Sequence, residues 1–149
     1  MKANELMIGD WVKVTDDDTD DSFIGQVKAI DELGNINVQE GEDVAYPYSI
    51  DCLEPISLTP DILEKNGFKN VKENQWVWEE KYHSNVDIIR IDDCISFYKE
   101  YPSEKNGGLQ TGGWIQAMSE RGRVDIDSEY VHELQHAIHQ CKMDKEIIL

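Results

Sequence analysis

The residues in this sequence best suited to chemistry are the run His132-Glu133-Leu134-Gln135-His136, near the end of the chain. On an α-helix, residues four apart project from one face, so His132 and His136 are spaced to bind a single zinc ion. Glu133 would then act as general base on a metal-bound water. The motif raises the hypothesis of a zinc-dependent hydrolase that uses these three residues.

The third ligand that a catalytic zinc requires is not evident in the sequence. The extended metzincin motif needs a glycine and a further histidine at two positions that His139 and Lys142 occupy. Asp144 and Glu146 follow too closely to fold back over the same helix face, and His83 lies in a predicted loop far upstream. Because only two zinc ligands are evident, the sequence favours a protein without a catalytic residue, metal or cofactor. The zinc hydrolase is the alternative.

The helix that carries the motif is predicted at about 128–142, with Asp127 or Ser128 as its cap. Its apolar residues share one stripe and its histidines lie opposite, which predicts a surface helix with its polar face in water. The stripe is Tyr130, Val131, Leu134, Ile138 and Cys141, and the opposite side carries His132, His136 and His139.

The first part of the chain alternates apolar and polar residues, which is typical of short β-strands. Gly25 is expected at a bulge or a point of close backbone approach. Four or five such strands cannot bury both faces of a flat sheet, so we expect them to curl into a small barrel. The patterns G-D-W-V-x-V and I-G-x-V resemble SH3-like barrels of the KOW and Tudor kind. The predicted strands are 10–14, 23–30, 36–40, 46–50 and 53–56.

A short helix after residue 57 separates two modules. Thr59 is its predicted N-cap, Pro60 its first residue, and Asn66-Gly67 its end. The sequence predicts an α+β fold, with an SH3-like β-barrel at 1–57 and an antiparallel sheet with two helices at 58–149. The later strands are predicted at 75–79, 86–91, 94–99, 114–118 and 143–149, with a hairpin turn at Asp92-Asp93 joining the second and third.

The net charge of −17 arises from 31 acidic against 14 basic residues. This charge opposes binding to nucleic-acid phosphates and docking on anionic membranes. The first residues lack an apolar signal segment, no apolar run is long enough to span a bilayer, and the three cysteines suit no disulfide framework. We therefore expect a cytoplasmic protein whose partner is a protein, not nucleic acid or membrane, with an acidic decoy that mimics DNA as an alternative.

Three stretches resemble an uncharacterised family of small proteins from gut anaerobic bacteria and their prophages and conjugative elements. They are MKANELMIGDWV at 1–12, PISLTPDILEKNGF at 55–68 and YVHELQHA at 130–137. The resemblance implies no particular activity. In that family the last helix typically reads Y-V-H-x-L-Q-N, with asparagine in place of His136, so the resemblance implies that the second zinc ligand is not a family feature. Together these points favour a non-enzymatic acidic accessory protein of mobile-element origin.

Overall fold

The computed structural model describes residues 2–15, 21–72, 75–81, 92–99, 113–119, 121–127 and 130–149. The chain forms two compact units. The first unit is Met1–Ser57 with Tyr130–His132, and the second is Leu58–Glu129 with Glu133–Leu149. The described residues contain two antiparallel five-stranded sheets and two α-helices. The predicted α+β class is therefore confirmed. Neither helix in this part of the chain is long and apolar enough to cross a membrane.

The first unit contains one antiparallel sheet, which is open in the residues described, with strand order β4-β3-β2-β1-β5. Strand β2 is the longest strand of this sheet and pairs with two neighbours. Its first half pairs with β1 and its second half pairs with β3. The pairing register shifts between Val27 and Ala29. The strands are β1 (Trp11–Thr15), β2 (Ser22–Ile30), β3 (Ile36–Gln39), β4 (Tyr46–Tyr48) and β5 (Leu53–Glu54), with 3₁₀ turns at Ala3–Glu5 and Ile50–Cys52.

The alternation read from the sequence places alternate residues of β1 and β3 in one apolar core, to which β2 and β5 add one buried residue each. Gly25 in β2 lies close against the neighbouring strand β3. A Cβ atom there would lie 2.5 Å from Val38 Cγ1 and 2.8 Å from the Gln39 carbonyl oxygen, so the predicted close approach is confirmed. The core consists of Leu6, Val12, Val14, Val27, Ile36, Val38 and Leu53, with Phe23, Tyr48 and Ile50 packed against it.

The second unit contains a sheet of order β10-β9-β8-β7-β6. Residues Asp92 and Asp93 pair with Lys81 and Glu80 inside this sheet, so the predicted turn at these two residues is wrong. The predicted strand at 86–91 lies outside the described residues. The elements are α1 (Pro60–Lys65), β6 (Lys69–Lys72), β7 (Gln75–Lys81), β8 (Asp92–Lys99), β9 (Gly113–Ser119) and β10 (Gly122–Asp127), followed by α2 (Val131–Gln140), whose first two residues belong to the first unit.

Helix α1 is capped as its sequence predicts. The Thr59 hydroxyl accepts a hydrogen bond from the Ile62 amide at 3.3 Å, and Pro60 occupies the first helical position. At the other end Gly67 has a φ of +77°, and the Phe68 amide donates to the Leu63 carbonyl at 3.0 Å. This arrangement is a Schellman motif, in which glycine supplies the left-handed residue that ends the helix.

The segment after α2 is not the strand predicted at 143–149. Instead, the Asn66 side chain hydrogen-bonds to the backbone of Ile148 through both its donor and its acceptor. The Lys145 ammonium lies 4.5 Å from the centre of the Trp78 ring and donates to the Asn66 carbonyl at 2.8 Å. Side-chain contacts, rather than a β-ladder, hold this segment.

Candidate functional site

Helix α2 buries the apolar stripe that its sequence predicts. Val131, Leu134, Ile138 and Cys141 are buried, Tyr130 is half-buried, and Ala137 adds a fully buried position. The helix begins at Val131, later than the predicted start near residue 128. The reason is that Tyr130 forms an antiparallel β-bridge with Ser57, and the Val131 amide donates to the Ile56 carbonyl at 2.8 Å.

His132 is not on a solvated face, so that part of the prediction is wrong. Its side chain is only 4% exposed. Its ring stacks on that of Tyr130, with centroids 6.0 Å apart and an interplanar angle of 16°. His132 lies where the Ile56–Ser57 segment, which is distant in sequence, pairs with the start of the helix through the Ser57–Tyr130 bridge and the Val131–Ile56 hydrogen bond. Burial and ring stacking are typical of a histidine that contributes to packing.

The other motif residues are more accessible than His132. Glu133 and His136 are half-buried, and His139 is exposed. In the described ranges, no group of three or more histidine, cysteine or carboxylate side chains is arranged to hold a metal ion. His83 lies outside those ranges. The motif residues that the structure describes therefore supply two imidazoles and one carboxylate on a single helix, without a third ligand identified beside them.

The three cysteines are free thiols. Cys141 is buried at the end of α2, where its sulfur lies 3.4 Å from the Ala117 carbonyl and 3.5 Å from that of Gly122. Burial raises the pKa of this thiol, and the negative charges of Asp93 and Asp125 raise it further, against a hydrogen bond from the Val124 backbone. A neutral thiol with a raised pKa is a poor nucleophile, so Cys141 is unsuited to covalent catalysis.

The acidic charge is distributed unevenly along the chain. Residues 1–57 contain 14 acidic and three basic residues, for a net charge of −11 out of the total of −17. Ten of these acids lie in the described ranges, and nine of the ten are exposed. Only Asp10 is buried, and its carboxylate accepts a hydrogen bond from the Met7 amide at 2.7 Å. Residues 1–57 therefore carry most of the net charge of the protein, and nine of their ten described acids are exposed to solvent.

The exposed acids of the first unit are concentrated at its turns. Asp31 and Glu32 lie in the β2–β3 turn, whereas Glu40, Glu42 and Asp43 lie in the β3–β4 turn, at the opposite end of β3. The described carboxylates thus form separate groups rather than one row along a single strand. This distribution is suited to contacts with basic side chains, which need only local complementarity.

Asp31 also determines the shape of its turn. One carboxylate oxygen accepts hydrogen bonds from the Leu33 and Asn35 amides, each at 2.8 Å, and the other accepts from the Asn35 side chain at 2.8 Å. The hydrogen bonds from Asn35, chiefly from its side chain, lower the pKa of Asp31. The same hydrogen bonds thus shape the turn and favour the ionised form of its carboxylate.

Sequence reasoning missed two of these features, and only one of the two has a signal in the bare sequence. The difference in charge between residues 1–57 and the remainder can be counted directly from the sequence. The burial of His132 has no such signal, because it depends on residues 56–57, which are distant in sequence. No known protein family, curated protein or solved structure matches the chain.

Proposed function

We propose that this protein is a non-enzymatic, acidic accessory protein that acts by binding a basic protein partner. The observation that carries the proposal is the net charge of −11 on residues 1–57, with nine of the ten described acids exposed. Surface charge of one sign raises the association rate with oppositely charged partners and opposes self-association and binding to nucleic acid.

We further propose that the first unit is an SH3-like barrel. Three features support this architecture: β2 is shared between β1 and β3, a 3₁₀ turn at Ile50–Cys52 precedes β5, and β5 returns to pair with β1. A small barrel of this kind exposes its connecting turns, and five of the nine exposed acids that the structure describes lie in the β2–β3 and β3–β4 turns. The proposed architecture thus agrees with a function in binding rather than in catalysis.

The cellular setting is part of the same proposal. The resemblance of the stretches at 1–12, 55–68 and 130–137 to proteins of prophages and conjugative elements favours an accessory role in the cytoplasm of a host bacterium. A mimic of DNA needs its charges in rows at phosphate-like spacing. Among the described residues of the first unit the carboxylates lie in separate groups, which favours the protein-binding hypothesis over the DNA mimic.

A quantitative capture experiment tests the proposed function. The full chain, immobilised through a terminal tag, is incubated with host lysate at low salt and again at about 0.5 M salt, where the Debye length falls below about 5 Å. We expect the immobilised chain to retain a protein with a basic surface at low salt and to release it at high salt. That protein, once purified, should bind the chain with an affinity comparable to that seen in the lysate. Capture of no specific protein, or of one whose binding does not change with salt, contradicts the proposal.

A further inference from the structure

Two ordered turns present exposed apolar side chains at one end of the first unit. In the turn before β1, Met7 and Ile8 are exposed, and Ile8 is 70% accessible. In the turn after β2, Leu33 is 89% accessible, and Ile30 at the end of that strand is also exposed. Residues 1–57 also expose Ile24, Val44 and Tyr46. Exposed apolar side chains that lie together, unlike singly scattered ones, mark interaction sites.

The strand register brings these two turns together. Because β1 and β2 are antiparallel, with Trp11 opposite Gln26, the residues before β1 lie beside the last residues of β2. The Gly9 amide donates to the Val27 carbonyl at 2.7 Å, and the Gln26 side chain donates to the Gly9 carbonyl at 3.0 Å. The segment that carries Met7 and Ile8 is therefore fixed against the part of β2 that leads to Ile30 and Leu33.

In each of the two turns, one aspartate carboxylate accepts hydrogen bonds from the turn itself. The buried Asp10 accepts a hydrogen bond from the Met7 amide and donates its own amide to the Met7 carbonyl at 3.2 Å. The Asp31 carboxylate accepts three hydrogen bonds within the second turn. A surface that is already ordered loses little conformational entropy when a partner binds, so these turns are suited to contact with another molecule.

The charge of the unit decides which molecule is compatible with this surface. A second copy of the chain would bring another strongly negative unit against the first, and an anionic membrane would repel it in the same way. A basic protein segment with apolar side chains satisfies both the apolar turns and the surrounding negative charge. Interfaces commonly combine an apolar centre with a charged rim in this manner.

We propose that Met7, Ile8, Ile30 and Leu33 form the apolar centre of a docking surface for a basic protein segment that carries apolar side chains. This inference rests on the proposed function and adds the location of the contact. The anchor residues lie at one end of the first sheet, whereas Val44, which is 73% accessible, lies in the β3–β4 turn at the other end.

A peptide titration of the full chain tests the location. The probe is a short synthetic peptide that alternates lysine with leucine, and its matched control has serine in place of each leucine. Binding is followed by amide chemical shifts of the labelled protein. We expect the lysine–leucine peptide to shift amides at residues 7–9 and 27–34, and to bind at least about tenfold more tightly than the lysine–serine peptide.

The substitutions test the surface directly. The double variant Ile8→Ser/Leu33→Ser should bind the lysine–leucine peptide at least about tenfold more weakly than the native chain. The control variant Val44→Ser should bind it with an affinity within about twofold of the native value. Equal loss in both variants, or shifts centred on the β3–β4 turn, overturns the proposed location while leaving the proposed function intact. Failure of both peptides to bind at low salt contradicts the proposed function as well. Shifts that depend on protein concentration without peptide would instead indicate a second copy as the occupant.

Discussion

The side chain of Asn66 and the backbone of Ile148 form two reciprocal hydrogen bonds. Asn66 Nδ2 donates to the Ile148 carbonyl at 2.7 Å, and the Ile148 amide donates to Asn66 Oδ1 at 2.8 Å. Asn66 also ends helix α1, where the same Nδ2 donates to the Ile62 carbonyl at 2.8 Å. One side chain thus joins the end of a helix to a segment 82 residues later in the sequence.

Replacing Asn66 should release the segment at 143–149. Asn66→Ala removes these hydrogen bonds and leaves partly buried backbone groups unsatisfied, so the free energy of unfolding should fall by about 2–4 kcal/mol. Denaturant titration measures the change, and hydrogen exchange of the Ile148 amide reports the local release. Asn70→Ala, on the exposed edge strand β6, is the control and should change stability by less than about 0.5 kcal/mol. An unchanged exchange rate at Ile148 in Asn66→Ala would show that other contacts hold the segment.

Lys142 adopts an unfavourable backbone conformation at the end of α2. Its φ of +53° is in the left-handed region, in a Schellman motif where the Met143 amide donates to the Ile138 carbonyl at 3.1 Å. Lys142→Gly should therefore raise the free energy of unfolding by about 0.5–1 kcal/mol, because glycine tolerates this conformation. The equivalent residue in α1 is already glycine, and Gly67→Ala should destabilise by about 1 kcal/mol. Thermal and denaturant unfolding of both variants measure the two effects, and destabilisation by Lys142→Gly would contradict the argument.

His132 should contribute to stability more than the other histidines of α2. His132→Ala removes a buried ring that stacks on Tyr130, so we expect a loss of about 1–3 kcal/mol in the free energy of unfolding. His139→Ala removes an exposed side chain and should change stability by less than about 0.5 kcal/mol. Denaturant titrations of the two variants under identical conditions give the comparison.

The zinc alternative makes a different prediction for the same helix. A zinc site that uses His132 and His136 would stabilise the folded protein, and His136→Ala would then cost both metal and stability. We expect protein purified without chelators to contain less than about half an equivalent of zinc, with His136→Ala changing stability by less than about 0.5 kcal/mol. One full equivalent of zinc that is lost on this substitution would falsify the non-enzymatic hypothesis in favour of the metal centre.

The buried thiol of Cys141 should make stability depend on pH in alkaline solution. Burial raises its pKa in the folded state above the ordinary value of 9.0, so the folded state retains a proton that the unfolded state releases. The associated stability is fully present below about pH 9 and is lost as the pH rises through the folded-state pKa. Unfolding of the native chain and of Cys141→Ala at pH 7, 9 and 10 measures the difference. A Cys141→Ala variant with the same alkaline loss as the native chain would show that other groups cause it.

The elements with local signals were predictable from the sequence. Thr59, Pro60 and Gly67 mark both ends of helix α1, because capping and left-handed glycine act within a few residues. Alternating residues predict β1, β2 and β3, and the stripe on α2 predicts its buried face. Strands β6 and β10 were missed because they lie at the edges of their sheet and contain few apolar residues.

The sequence by itself thus determined the α+β class, the capped helix α1, the buried stripe of α2 and the strongly acidic character of the chain. Only the tertiary structure decided that Asp92 and Asp93 continue a strand, that His132 is buried, and that Asn66 holds the segment around Ile148. The physical reason is the distance over which each interaction acts. Caps and periodicity depend on neighbouring residues. By contrast, three features depend on chain segments that meet only on folding: the strand partners, the burial of the His132 ring, and the hydrogen bonds between Asn66 and Ile148, 82 residues apart.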